Sequence, residues 1–230
     1  MKSTVTPRVK ICCISSVQEA ALAVECGASA LGLVSYMPSG PGVISDQQIA
    51  EIASTVPPPI GTFLLTSRQN VTDIIAQHRF CRTNCIQICD HLIGGTHREL
   101  KDALPGISVV QVIHVDGPES VNEACAVAPH VDAILLDSGN QKLATKELGG
   151  TGRTHDWTLS RTIRDSIDIP MFLAGGLTPE NVSRAIGEVG PFGLDLCSGV
   201  RTKGKLDEAK LRRFFAAVRS AAVSQQPVLV

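Results

Sequence analysis

Apolar residues cluster along the chain in short runs without polar alternation, at 9–14, 30–35, 60–65, 85–88, 108–113, 133–137, 171–174 and 193–197. A strand wetted on one face would alternate, so these runs predict strands covered on both faces. Between them the apolar positions fall at helical spacing, in segments that open on a capping residue: SSVQEAALAVECG, SDQQIAEIAS, NVTDIIAQH, THRELKDAL, PESVNEACAVA, DWTLSRTIRDSI, TPENVSRAIGEV and DEAKLRRFFAAVRSAA. Strict alternation of eight such pairs within 230 residues predicts an α/β fold, a closed (β/α)8 TIM barrel, rather than an open sheet. One domain spans 1–230 on this reading, with 1–8 and 223–230 as loose ends.

Composition narrows the function classes. A hydrophobic content of 43% suits a chain with a sizeable core. With 21 basic and 22 acidic residues and no long run of one sign, the chain lacks the electrostatic footprint of a nucleic-acid or anionic-membrane partner. No apolar stretch approaches the roughly 18 residues of a membrane span, and the polar opening MKSTVTPR has no leader-like core, so a cytoplasmic protein is predicted. The eight cysteines fall mostly within apolar runs and read as reduced thiols. Cys81, Cys85 and Cys89, with His91 nearby, are evenly spaced. In a strand, residues four apart lie about 13 Å from each other, too far to share an ion, so no metal site is predicted.

In a barrel the chemistry belongs at the carboxyl ends of the strands. The seventh run leads into LAGGLTPENV, where Gly175 and Gly176 bare the backbone and Thr178 and Pro179 open a helix; the eighth leads into CSGVRTKG, with Ser198 and Gly199. Small-residue loops after the last two strands suit a phosphate held by backbone amides. A third such loop, LGGTGRTHDW, follows strand six and offers Gly150, Thr151 and Gly152 to the same ligand. Strand six ends AILLDS, which puts the Asp137 carboxylate at the mouth, where burial is costly unless the group is used. Strand one reads VKICCIS. Alternation sets Lys10, Cys12 and Ile14 on one face and Ile11 and Cys13 on the other, so one thiol faces the lumen.

These segments, VKICCIS, ILLDS, GGTGRTHDW, LAGGLTPENV and GLDLCSGV, resemble in order and separation the signatures of the phosphoribosylanthranilate isomerase family of tryptophan biosynthesis. The likeness runs from about residue 9 to the last helix, dense in the second half and thin from 36 to 130. It implies a cofactor-independent, metal-free Amadori rearrangement of N-(5-phosphoribosyl)anthranilate by a monomer or homodimer. The family's base maps onto Cys12 and its acid onto Asp137. The phosphate loops map onto Gly150, Gly152, Gly175, Gly176, Ser198 and Gly199. Lys10, Arg153, Asp195 and Arg201 are further candidate substrate contacts. A free thiol ionises near pH ~8.5, so the base needs help, and Lys10 on the same face is a candidate. Cys13 stands where the family has glycine and is expected to pack outward.

Departures concentrate on the aglycone side. The family's arginine for the anthranilate carboxylate, in the loop after strand two, has no counterpart in YMPSGPGVIS. Cys89 replaces a usual histidine, Cys197 a usual serine, and Arg201 sits near a usual glutamate. Arg153, Arg201 and Arg68 are candidate replacements that would preserve the original substrate; the alternative readings are an isomerase of a different phosphorylated aminosugar, or a non-catalytic paralogue that binds a phosphate ligand. On the first of these, Arg introduced at Gly42 or Pro41 is expected to improve use of the anthranilate substrate.

Overall fold

Each unalternated run forms a strand. In the computed structural model, which describes residues 6–141 and 143–224, these are β1 (Arg8–Ile11), β2 (Ala30–Val34), β3 (Gly61–Thr66), β4 (Cys85–Ile88), β5 (Ser108–His114), β6 (Ala133–Asp137), β7 (Met171–Leu173) and β8 (Gly193–Leu196). They pair in parallel in chain order, and β8 returns to β1 to close the barrel. Burial on both faces follows from two apolar shells. Ile11, Leu31, Leu64, Ile86, Ile134 and Leu194 point outward under the helices, and Ala30, Phe63, Cys85, Val110, Leu135 and Phe172 fill the lumen. Period two thus assigns alternate residues to two separate cores.

The helices are α1 (Val17–Cys26), α2 (Asp46–Thr55), α3 (Val71–Cys81), α4 (His97–Ala103), α5 (Glu119–Val127), α6 (Trp157–Ser166), α7 (Val182–Val189) and α8 (Glu208–Ser224). Side chains of Ser16, Ser45, Asn70, Thr96 and Asp156 accept first-turn N–H groups, and Ser45 with Gln48 and Thr96 with Glu99 complete capping boxes. Two boundaries differ from the sequence expectation. Helix α7 begins at Val182 rather than at Thr178, because the Asn181 side chain accepts from Thr178 N–H and donates to Gly176 O, which holds TPEN as a turn. After β8 the chain forms a small antiparallel hairpin, β9 (Arg201–Thr202) with β10 (Lys205–Leu206), that hydrophobic patterning did not signal. Of the segments expected to be loose, 1–5 and 225–230 lie outside the described residues, while Arg8 already belongs to β1 and α8 reaches Ser224. Among the described residues no helix is long and apolar enough to cross a membrane.

Candidate active site

The carboxyl ends of the strands surround one pocket, and its floor is charged. Lys10 on β1 and Asp195 on β8 are register partners, which sets them side by side in the lumen. The fully buried ammonium lies 2.9 Å from Asp195 Oδ1, close enough for an ion pair although not aligned as a directed hydrogen bond, and 5.2 Å from the Phe63 ring centre. Burial alone would strip its proton, but Asp195 and the neighbouring Cys12 outweigh that and hold Lys10 firmly protonated. Gly32 on β2 leaves the room: a Cβ there would fall 2.9 Å from Cys12 Sγ and 3.1 Å from Lys10 Nζ. Lys10 therefore lies beneath the pocket and does not line it, whereas Cys12 and Asp195 do.

Asp137, at the end of β6, lines the same pocket as Cys12. Its Oδ1 accepts from the Ser138 N–H at 2.7 Å, and Gly149 approaches so closely that a Cβ there would sit 2.5 Å from Oδ2. Burial pushes the Asp137 carboxyl above the ordinary carboxylate range, more than the Ser138 N–H and His114, its register partner on β5, pull it down. A carboxyl group raised in this way at a pocket wall is suited to act as a proton donor. His114 is itself fixed by its ring nitrogen, 3.0 Å from Cys89 O.

Cys13 does not pack outward. β1 ends at Ile11, and at Cys13 the backbone takes the left-handed conformation, φ 62°, so alternation stops and the second thiol also lines the pocket. Its Sγ donates to Pro41 O at 3.6 Å. The Cys12 and Cys197 thiols and burial push the Cys13 thiol up, while Cys13 and Arg201 draw Cys197 below the usual thiol value against the effect of burial. A Cβ on Gly42, where φ is +78°, would lie 2.4 Å from Cys13 Cβ and 2.9 Å from its Cα. The expectation that Arg at Gly42 would improve the site is thus overturned: Cys13 occupies that space.

On the opposite side the three glycine loops interlock. Gly150, Gly152, Gly175, Gly176 and Ser198 line the pocket; Gly150, Gly152, Gly175 and Gly176 all have positive φ. A Cβ on Gly176 would fall 2.8 Å from Arg153 C and Thr154 N, so the loop after β7 seats directly on the loop after β6. Gly199 stands behind the lining, where a Cβ would meet Leu177 O at 2.0 Å. The loop after β6 also roofs the mouth, with Ser39 Oγ donating to Lys146 O at 2.7 Å.

Like Lys10, two further predicted substrate contacts lie outside the pocket lining. Arg201 is buried, donating to Glu19 Oε1 at 2.9 Å, Glu19 Oε2 at 3.1 Å and Gly204 O at 2.9 Å, and to the carbonyls of Cys13 and Cys12. It clamps the turn that carries the two thiols. Arg153 pairs with Glu147 and faces an outer cleft beside Ser138 and His155. Of the evenly spaced cysteines, Cys81 belongs to the outer shell, and Cys85 and Cys89 face the lumen. Sequence reasoning passed over Met37, Ser39, Gln87 and Gly149, all of which line the pocket. Only Gly149, in the LGG motif, carried a signal.

The chain matches the model of a family described as N-(5'phosphoribosyl)anthranilate (PRA) isomerase over residues 9–217. It is 34% identical to N-(5'-phosphoribosyl)anthranilate isomerase 2 of Methanosarcina mazei, over 90% of this chain and 92% of that one. It is also 34% identical to the enzyme of that name from Pseudomonas fluorescens, over 92% and 98%. Among solved structures, the phosphoribosyl anthranilate isomerase of Thermotoga maritima superposes with a TM-score of 0.77 at 30% identity, covering 93% of this chain and 99% of that one. A phosphoribosyl anthranilate isomerase in complex with reduced 1-(o-carboxyphenylamino)-1-deoxyribulose 5-phosphate gives 0.74 at 28%, with the same coverage.

Proposed function

Because this chain belongs to the N-(5'-phosphoribosyl)anthranilate isomerase family, we propose that it rearranges N-(5'-phosphoribosyl)anthranilate to the 1-deoxyribulose 5-phosphate product, with Asp137 as general acid and Cys12 as general base. The observation that carries the reading is that Cys12 and Asp137, whose carboxyl burial raises, line one pocket together with the small-residue loops. The phosphate lies against backbone amides around Gly150, Gly152, Gly175, Gly176 and Ser198, which lets an oxyanion approach without side-chain obstruction.

With the sugar so placed, Asp137 gives its proton to the furanose oxygen as the nitrogen lone pair opens the ring to a protonated Schiff base. The Cys12 thiolate then removes the C2′ proton, and the electron pair moves to form an enolamine. Tautomerisation yields the aminoketose. The sugar's C1 is reduced and its C2 oxidised within one molecule, so the reaction balances without an external electron carrier. Lys10 holds positive charge beneath the base, and Asp195 keeps that charge in place. The enzyme works in the cytoplasm, as a monomer or homodimer, on a small phosphorylated sugar.

The test is the loss of substrate fluorescence with purified protein, together with growth of a tryptophan auxotroph that expresses it. Enzyme-dependent loss with formation of the aminoketose is expected. Tight sugar-phosphate binding without turnover would instead identify a non-catalytic paralogue.

A further inference from the structure

We propose that the same site also rearranges N-(5-phosphoribosyl) arylamines that carry no carboxylate, at least as efficiently as the anthranilate compound, and that Cys13 sets this breadth. The inference rests on the reading of the pocket as an aminosugar-phosphate isomerase site and adds the class of amine substituent it admits.

Away from the glycine loops the lining is apolar and soft, built from Val34, Met37, Pro41 and Leu65 with the thiols of Cys13 and Cys89. Its charges are already balanced from within. Asp195 is matched by Lys10 at 2.9 Å, and burial disfavours charge on Asp137. Among the described residues that line the pocket there is no Arg, Lys or His. Of the cations outside that lining, Arg153 pairs with Glu147, Lys146 with Asp90 at 2.7 Å, and Arg201 with Glu19 and the turn carbonyls, while Arg68, after β3, is not among the lining residues. A carboxylate entering this wall gives up water and meets no positive partner, whereas a neutral aryl ring loses nothing by the same move.

Cys13 fixes that character. Held in the left-handed conformation, it sends its thiol against the loop after β2, bonding to Pro41 O and lying where any side chain at position 42 would begin. The loop therefore seats main chain and small residues on the substrate side. Cys13 is itself buried and bridges the turn after β1 to that loop.

The experiment measures kcat/KM for N-(5-phosphoribosyl)aniline and N-(5-phosphoribosyl)anthranilate side by side, on the native protein and on Cys13→Gly. In the native protein the aniline-to-anthranilate ratio is expected to be one or more; in Cys13→Gly, where the thiol contact with the loop after β2 is lost, it is expected to fall about threefold or further. A native preference for the anthranilate compound of tenfold or more, the discrimination that one charge-assisted contact supplies, would overturn the inference while leaving the proposed function standing. An unchanged ratio in Cys13→Gly would remove Cys13 from it. If neither compound is rearranged, the proposed function fails and the inference with it.

Discussion

Asp137 illustrates how a single carboxyl can serve the site at the expense of the fold. Burial holds it protonated in the native chain over a pH interval in which the unfolded chain has already released the proton. Within that interval folding takes up a proton, so its contribution to stability declines as pH rises from the ordinary carboxylate value through the raised native one. Asp137→Asn cannot ionise and keeps an oxygen for the Ser138 N–H. Its urea midpoint is therefore expected to exceed that of the native protein by more at pH 8 than at pH 5. An offset that does not vary with pH would mean that Asp137 titrates alike in both states. The residue itself was legible, since a lone carboxylate closing the apolar run AILLD stands out. Cys13 was not, because period two holds only while the strand lasts, and the backbone turns left-handed two residues after Ile11.

At the scale of elements, eight strands and eight helices could be read from spacing and caps because each local preference agrees with its place in the barrel. The disagreements have local causes. Asn181 spends its side chain on Thr178 and Gly176, which delays α7, and the β9–β10 hairpin is organised by ties distant in sequence. Arg201 at its start reaches Glu19 on α1 and the Cys12–Cys13 turn, and Glu19 accepts from the Leu206 N–H at 3.0 Å. Burial would raise the Glu19 carboxyl, but Arg201 and the N–H groups of Leu206 and Ser15 hold it below its usual value. Breaking a buried pair leaves an unmatched charge, and Glu19 retains some exposure, so Arg201→Ala is expected to cost about 2–4 kcal/mol in chemical denaturation. Arg201→Lys should recover little, since a point charge cannot reach both Glu19 oxygens and the turn carbonyls together. A loss within experimental error would show that the clamp is dispensable.

The whole molecule supplies what neither residue nor element contains. Barrel closure brings residues 12, 137 and 195 to one pocket, and register sets Lys10 beside Asp195 and His114 beside Asp137. Sequence shows that such residues exist but not which strand ends they share, since register depends on shear around the closed sheet. The glycine loops were legible by position, yet their mutual contact, with Gly176 seated on Arg153 and Thr154, follows only from closure. Cys12 and Asp137, 125 positions apart in the chain, come to line one pocket, and the proposed chemistry depends on that meeting. The decisive measurement is the rate of N-(5'-phosphoribosyl)anthranilate fluorescence decay with Cys12→Ser beside the native protein, the barrel being verified by circular dichroism. Removal of the general base should slow the reaction by about 100- to 10,000-fold, whereas a rate within tenfold of the native protein's would contradict the assignment of the base to Cys12.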